Sequence, residues 1–182
     1  MVFSEERQPG CYYEPSIVCY AVRMIEIRRY EPRQDRQAVK NLMVELLDLE
    51  KEVEPEWEPT QEIIEPYFRY MLQRGRKFDG EIFVAEDSGK VIGFISVWGK
   101  MKPNNPGDSQ EIRAFISDFI VQESYRNAGL GRRLIAVAED YARQKGVSTI
   151  RLQATGNNIR GRRFYQRAGY RELVVEHVKR LK

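Results

Sequence analysis

The sequence has very few residues of the two types that build most metal sites and nucleophilic centres. It contains two cysteines, Cys11 and Cys19, and one histidine, His177, among 182 residues. Both cysteines lie in the first twenty residues and far along the chain from the histidine. The chain therefore has too few suitable residues to favour a Cys/His metal site or a Ser-His-Asp triad. We therefore expect no metal and no covalent enzyme intermediate on cysteine.

Long apolar runs are missing as well. The longest early run, residues 17–22, has only the length of a strand and follows an acidic, proline-containing start. A signal peptide or a membrane-spanning helix needs a longer apolar stretch, so we expect neither. The simplest expectation is a cytoplasmic protein that has no membrane partner.

A strong excess of charge of either sign is also absent. Lys and Arg number 30 against 27 Asp and Glu, and the formal net charge of +3 is too small to argue for a nucleic-acid or membrane partner. The 182 residues, 42% hydrophobic and 31% charged, are typical of one globular domain. Residues 1–23 have no sustained periodicity, so we expect an N-terminal extension of unknown role there and a single domain over residues 24–182.

Hydrophobic periodicity predicts an alternation of strands and helices in this domain. The predicted strands lie at residues 25–30, 81–86, 90–98, 114–121, 150–154 and 170–178. The predicted helices lie at residues 35–53, 60–74, 130–142 and 158–167. A strand, a helix and a second strand follow one another between residues 114 and 154, which requires parallel pairing, while Asp87-Ser88-Gly89 predicts an antiparallel hairpin. The order therefore predicts an α/β fold with a mixed sheet.

The most informative segment is a glycine-spaced turn between a predicted buried strand and a predicted helix, at residues 121–134. Gly129 and Gly131 allow the backbone to approach an anion closely, and the helix N-terminus supplies unpaired amides. Arg126 and Arg132 add full positive charges. The pattern predicts a pyrophosphate site, although the glycines could equally close a helix against a strand while the arginines stay solvated. Neither a Walker motif nor a Rossmann fingerprint fits this spacing.

Together with two further segments, this turn resembles the GNAT (N-acetyltransferase) superfamily. Residues 118–121 (Asp-Phe-Ile-Val) look like the strand before the family's turn, and Asn158 with residues 164–170 (Phe-Tyr-Gln-Arg-Ala-Gly-Tyr) looks like its C-terminal helix and turn. The resemblance implies a GNAT fold, whose mixed central sheet has about six to seven strands, is flanked by about four helices and splays between strands 4 and 5. It also implies an enzyme that transfers acetyl from acetyl-CoA to a primary amine, by direct attack in a ternary complex.

The resemblance further implies which residues hold acetyl-CoA. The main chain of Phe119, Ile120 and Val121 would pair with the pantetheine arm, and an amide near Val121 would face the thioester oxygen. Asn158 would fix the cofactor from the end of the following strand. The pyrophosphate would lie on the turn formed by Arg126, Asn127, Ala128, Gly129, Leu130, Gly131 and Arg132.

Two catalytic residues are implied in the same way. Tyr165 matches the family's tyrosine that protonates the departing thiolate, with a core tyrosine as the alternative, whereas Phe164 beside it is better explained as core. The amine must lose a proton before it attacks, and Asp118 is the leading candidate to accept it, directly or through water. Pairing of Asp118 with an arginine is the structural alternative. Glu86 and Glu111 are weaker candidates for the same role.

The acceptor is expected to bind at the predicted helix pair and at the polar loop of residues 102–110. Seven acidic residues crowd the first part of this region around Trp57, namely Glu45, Asp48, Glu50, Glu52, Glu54, Glu56 and Glu58. An acidic, aromatic rim would attract a cationic amine and favours a polyamine-like or aminoglycoside-like acceptor, although such runs are commonly solvated surface. A peptide amine stays open as the acceptor. By analogy with the family, a homodimer is a further expectation.

A cluster of positive charge leaves other functions open. Six arginines lie near the cofactor motifs, namely Arg151, Arg160, Arg162, Arg163, Arg167 and Arg171. Some of them could meet the 3′-phosphate of CoA. As a weaker alternative, they could belong to an RNA-binding module with Tyr165 and Tyr170 as stacking surfaces. The third alternative is a GNAT-like domain that binds acyl-CoA as a sensor without turnover.

Overall fold

The computed structural model describes residues 25–103, 106–107, 109–179 and 181. The predicted N-terminal extension, with both cysteines, lies outside these residues. The strands of the described part are β1 Glu26–Arg29, β2 Glu81–Asp87, β3 Lys90–Met101, β4 Arg113–Val121 and β5 Ile150–Leu152. Its α-helices are α1 Pro32–Val53, α2 Thr60–Lys77, α3 Leu130–Gln144 and α4 Ile159–Arg167, and a single 3-10 turn covers Glu123–Tyr125. All four predicted helices are therefore present.

The strands form one mixed sheet in the order β1-β2-β3-β4-β5. Neighbours from β1 to β4 pair antiparallel, and β4 pairs parallel with β5 after the crossover through α3. The predicted mixed α/β architecture is confirmed. None of the helices in the described ranges has the length and apolar character needed to cross a membrane.

The pairing between β4 and β5 covers only the first half of β4. It ends where Ile116 faces Leu152, whereas β4 continues to Val121. Ser117 is a bulge, because Asp118 pairs with Ser96 while Ile116 already pairs with the next residue of β3. In the described part of the chain, residues 117–121 therefore have no strand beside them on the β5 side. This gap agrees with the predicted splay between the fourth and fifth strands.

The strand predicted at residues 170–178 is absent from the structure, where residues 171–179 have no regular secondary structure. The sheet of the described residues therefore has five strands rather than six to seven. Val174 and Val178 are 81% and 88% exposed. A β-branched run fits a strand only when a neighbouring strand supplies hydrogen bonds and packing, and periodicity carries no information on that neighbour. β5 also ends two residues earlier than predicted.

The core has two layers, one on each face of the sheet. α3 packs on one face through Leu134, Ala138 and neighbouring apolar residues. α1 and α2 pack on the other face, against Phe94 and Ile120, because α1 places its apolar residues on one side of the helix. Side chains of β4 that share a face with Ile120 therefore point toward the α1–α2 pair. This layer contains the acidic cluster described below.

Candidate active site

The loop between β4 and α3 presents a run of open main-chain NH groups. Asn127 and Gly129 have positive φ angles of 66° and 83°. The first amide of the helix that has an acceptor belongs to Arg133, which donates to the Gly129 carbonyl at 3.2 Å. Within the described residues, the amides of residues 127–132 donate no hydrogen bond. Consecutive open NH groups at a helix N-terminus are the arrangement that binds an anion such as a phosphate.

Gly131 allows this first helical turn to lie against an aromatic pair. A Cβ atom at this position would be 3.3 Å from ring atoms of both Phe119 and Phe164. The two rings are stacked with their centroids 5.7 Å apart. Phe164 packs against the core, as predicted from the sequence. The second glycine of the turn is thus explained by close packing and the first by its left-handed backbone.

The two arginines of the turn have different environments. Arg126 donates from Nε to the Val121 carbonyl at 2.7 Å and from Nη2 to Glu45 of α1 at 3.2 Å. Arg132 is exposed and makes one long contact from Nη2 to the Arg167 carbonyl at 3.4 Å. Arg126 therefore fastens the loop to β4 and α1, and Arg132 supplies the more accessible positive charge beside the open amides.

The second half of β4 has a free edge toward the gap. The Gln122 amide donates to the Ile92 carbonyl of β3 at 2.9 Å. Because successive residues of an antiparallel strand alternate in the direction of their NH and C=O groups, Phe119 and Val121 present theirs away from β3 and Ile120 presents them toward β3. Of the three residues predicted to pair with pantetheine, Phe119 has its NH and C=O at the gap, and Val121 has only its NH free there, because the Val121 carbonyl accepts a hydrogen bond from Arg126.

Asn158 stands at the start of α4, after β5. Its Oδ1 accepts a hydrogen bond from the Gly161 amide at 2.8 Å, which caps the helix. Its Nδ2 donates no hydrogen bond within the described ranges. In the predicted contact with a cofactor, the side-chain Nδ2 would therefore be the donor, because Oδ1 already accepts a hydrogen bond from the helix.

Asp118 lies at the centre of a buried cluster below α2. Its side chain is 4% exposed. Tyr67 of α2 donates to Oδ1 at 3.0 Å, and the hydroxyl of Ser117, at the bulge, donates to Oδ2 at 2.6 Å. Burial raises the pKa of Asp118, and the two hydroxyl groups partly offset that effect. The sequence had left open that Asp118 pairs with an arginine, but among the described residues its side chain is bonded to Tyr67 and Ser117 instead.

Glu50 is a member of this cluster that the sequence did not single out. It is half-buried near the end of α1, and its carboxylate forms no hydrogen bond or ion pair within the described part of the chain. Burial, followed by the charge of Asp118, raises the pKa of Glu50 to about 7. Burial also raises the pKa of Tyr67, reinforced by both carboxylates. Seven acidic residues look alike in this stretch, so only packing distinguishes Glu50 from the others.

Tyr165 reaches the same region from α4. Its ring lies against Phe119, Phe164 and Tyr170, with centroids 5.4–6.4 Å away. Burial and the charge of Glu50 raise the pKa of Tyr165 to about 12, so the phenol stays protonated at neutral pH. Its hydroxyl makes no hydrogen bond with the described residues. Tyr165 is therefore a protonated phenol that has no hydrogen-bond partner among the described residues and that feels the charge of Glu50.

The two weaker sequence candidates for proton acceptance lie elsewhere. Glu86 accepts two hydrogen bonds from Arg28 at 3.0 and 2.6 Å, in an ion-pair cluster at β1 and β2. Glu111 is exposed and accepts hydrogen bonds from Ser148 and Thr149. The structure does not bring either residue to Asp118, so neither belongs to the candidate site.

The turn between α1 and α2 forms an acidic rim, in which Trp57 is 42% exposed. Tyr70 lies farther along α2, near Trp98, and is 47% exposed. Two of the acidic residues named from the sequence have local partners: Glu45 contacts Arg126, and Asp48 accepts a hydrogen bond from Thr60 at 2.5 Å. The rim thus retains exposed aromatic surface, while part of its negative charge has local partners.

The raised pKa of Glu50 predicts a stability that depends on pH. A folded-state pKa of about 7 against 4.5 means that the folded protein binds this proton more tightly between these values. The free energy of unfolding should therefore fall as the pH rises through that interval, by up to about 3 kcal/mol from Glu50. Urea unfolding between about pH 4.5 and 8 measures this fall, and Glu50→Gln should reduce it. Equal pH slopes for both proteins would contradict the assignment.

A protein-family model matches more than half of the chain. The model of the Acetyltransferase (GNAT) family matches residues 43–170. YhfO of Bacillus subtilis, an uncharacterized N-acetyltransferase, is 30% identical over 103 residues, which are 57% of this chain and 66% of YhfO. The chain spans only between a third and two thirds of the length of YhfO and of two further curated relatives.

Solved structures share the fold. A putative acetyl transferase from Pyrococcus furiosus has a TM-score of 0.68 and 20% identity, covering 86% of this chain and 100% of its own. The aminoglycoside N-acetyltransferase AAC(6')-Iy, solved in complex with CoA, has a TM-score of 0.61 and 20% identity over the same shares. At this identity the two structures are evidence for the fold alone.

Proposed function

Because the chain belongs to the GNAT acetyltransferase family, we propose that it transfers an acetyl group from acetyl-CoA to an amine by direct attack in a ternary complex. The observation that carries this proposal is the run of open amides at residues 127–132, next to the free edge of β4. An anion-binding loop that adjoins an unpaired strand edge suits a cofactor with a pyrophosphate and an extended, amide-containing arm.

Three groups of this chain would hold acetyl-CoA. The open amides and Arg132 would bind the pyrophosphate by charge-assisted hydrogen bonds. The main chain of Phe119 and Val121 would pair with the pantetheine arm, as a neighbouring strand would pair with β4. Asn158 would add a hydrogen bond from its Nδ2. The main role of these groups is to align the thioester with the amine, which removes much of the entropic barrier.

Two groups would assist the transfer of acetyl. A main-chain amide near Val121 would donate to the thioester oxygen while negative charge develops on it, and such a donor is worth about 3 kcal/mol in comparable sites. Tyr165 would donate its proton to the departing sulfur. A phenol with a pKa of about 12 is protonated at neutral pH and can give its proton to a sulfur that becomes negative.

The acceptor must lose protons before and after it attacks, and the Glu50–Asp118 carboxylate pair would form the proton-accepting end of the site. We expect a cationic small-molecule or peptide amine. The acidic character of the α1–α2 turn and the exposed Trp57 and Tyr70 support a polyamine-like or aminoglycoside-like molecule. Relatives include a glucosamine 6-phosphate N-acetyltransferase from Trypanosoma brucei brucei and the aminoglycoside enzyme described above.

The proposal is tested by incubating the protein with acetyl-CoA and a panel of polyamines, aminoglycosides, amino acids and N-terminal peptides. Release of CoA thiol that depends on the amine, together with acetylated product by mass spectrometry, is the expected result. Calorimetric titration with acetyl-CoA gives its affinity independently. Absence of saturable binding at millimolar acetyl-CoA would overturn the proposal, and binding without turnover of any amine would favour a sensor instead.

A further inference from the structure

We propose that Glu50 is the residue that accepts the protons of the acceptor amine, and that Asp118 and Tyr67 are positioning residues behind it. This inference rests on the proposed acetyl transfer. It assigns the direct role to a different carboxylate from the one that the sequence favoured.

Asp118 is poorly placed to receive a proton directly. It is 4% exposed, and each of its carboxylate oxygens already accepts a hydrogen bond from a hydroxyl group, of Tyr67 or of Ser117. A carboxylate oxygen can accept a second hydrogen bond, but the burial of Asp118 keeps an amine in solvent away from both of its oxygens. The Ser117 hydroxyl is further tied to Ser96 at 3.0 Å, so this side of Asp118 is closed by β3 and β4 themselves.

Glu50 has the opposite environment. Its carboxylate is only half-buried and has no hydrogen bond or ion pair with any described residue. The titratable groups that act on it or feel its charge are Asp118 from β4, Tyr67 from α2 and Tyr165 from α4. A carboxylate that is free of cations, partly desolvated and next to a second carboxylate attracts a proton at neutral pH. This combination suits a general base.

Contacts of α1 on both sides of Glu50 along the helix bring this part of α1 close to the gap where the thioester would lie. Glu45 contacts Arg126 in the loop that follows β4. At the end of the helix, the Val53 carbonyl accepts a hydrogen bond at 3.2 Å from Asn157, in the loop that follows β5. The last turns of α1 thus connect the two loops that flank the gap, and Glu50 lies between these two contacts along the helix.

The proton balance of the reaction can be closed with two residues. An ammonium acceptor loses two protons while its nitrogen forms the bond to the acetyl carbon and the carbon–sulfur bond breaks. Glu50 accepts the first proton before attack and passes it to solvent. Tyr165 gives its proton to the departing sulfur. Glu50 accepts the second proton from the nitrogen and passes it to Tyr165, which is thereby protonated again. The products are the amide, the CoA thiol and one proton, and both residues end as they began.

The test compares the full-length wild-type protein with Glu50→Gln, Asp118→Asn and the control Glu62→Gln, using acetyl-CoA and an amine that the panel identifies as a substrate. Glu62 is an exposed residue of α2 outside the site. At pH 7, Glu50→Gln should lower kcat/KM by about 10²-fold. The loss should shrink as the pH approaches about 10, where the amine itself becomes neutral. Affinity for acetyl-CoA should not change, and Glu62→Gln should follow the wild type.

Asp118→Asn gives a different signature. Removing this neighbouring carboxylate should move the acid limb of the pH profile to lower pH while most of the activity at high pH remains. Infrared or NMR titration should detect in the wild type, but not in Glu50→Gln, a carboxyl group that ionises near pH 7.

Three results would overturn the assignment to Glu50. They are an activity of Glu50→Gln within about threefold of wild type at pH 7, a loss of equal size at every pH, and a pH-rescued loss seen in Asp118→Asn instead. Each of them leaves acetyl transfer by the wild type intact. A wild-type protein that releases no thiol with any amine would overturn the proposed function, and this assignment with it.

Discussion

Replacing Tyr165 with phenylalanine is expected to lower kcat by about 10²–10⁴-fold and to leave the affinity for acetyl-CoA nearly unchanged. The substitution removes only the hydroxyl, which has no hydrogen-bond partner among the described residues, so it leaves no buried partner unsatisfied. The ring contacts with Phe119, Phe164 and Tyr170 are retained. A fall in kcat would therefore be due to the loss of proton donation to the leaving sulfur and not to a change in packing. Steady-state kinetics with calorimetric titration of acetyl-CoA separates the two quantities.

Tyr170→Phe is the matched control for this experiment. Tyr170 lies 6.1 Å from Tyr165 between ring centroids, and its hydroxyl donates to Glu139 of α3 at 3.2 Å, away from the carboxylate pair. We expect it to retain kcat within about twofold. If Tyr165→Phe also kept its turnover, Tyr165 would have no role as an acid. If both variants lost activity equally, the effect would belong to the aromatic cluster.

Replacing Gly129 with valine is expected to weaken acetyl-CoA binding by about 10²-fold. The φ angle of 83° at this position is unfavourable for a β-branched residue, and leaving that region of backbone space turns the neighbouring amides away from their common direction. Losing one or two hydrogen bonds to a charged phosphate accounts for an effect of this size, because each contributes about 1.5–3 kcal/mol. Calorimetric titration with acetyl-CoA measures the change directly.

Gly146→Val controls for the strain itself. Gly146 follows the other end of α3 with a φ angle of 74°, and the space around its missing Cβ is as open as at Gly129. Both variants should lose similar stability in urea unfolding. Only Gly129→Val should lose affinity for the cofactor, because Gly129 lies within the run of open NH groups and Gly146 lies at the opposite end of α3. Similar affinities of the two variants for acetyl-CoA would show that the loop is not the pyrophosphate site.

The structure has the strand, glycine turn and helix that the sequence predicted around Gly129, because the causes of this geometry are local. The binding of an anion there stays a prediction. A strand, two glycines two residues apart and an amphipathic helix follow one another within residues 114–142, so their order determines where the open amides lie. The same holds for the hairpin between β2 and β3, which the Asp87-Ser88-Gly89 turn predicts. In each case the residues that cause the structure are neighbours along the chain.

The surroundings of Asp118 and the choice of Glu50, which we propose as the proton-accepting part of the site, could not be predicted in this way. Tyr67 lies 51 residues from Asp118, and its hydrogen bond to that carboxylate depends on how α2 packs on the sheet. Glu50 belongs to a stretch of seven similar acidic residues, and its burial and the nearby charge of Asp118 set it apart from the others. A pattern of acidic side chains does not reveal which of them is desolvated, because desolvation depends on elements far away in the sequence.

The sequence by itself determined the mixed α/β order of elements and the glycine turn, because each follows from periodicity or from spacing within a short segment. The role expected of Tyr165 came from the family resemblance of residues 164–170. The tertiary structure alone decided at which residue β4 and β5 part, that residues 171–179 add no strand to the sheet and that Glu50 shares its surroundings with Asp118 and Tyr165. These features depend on contacts between elements, whose distances and burial are properties of the packed molecule and not of any one segment.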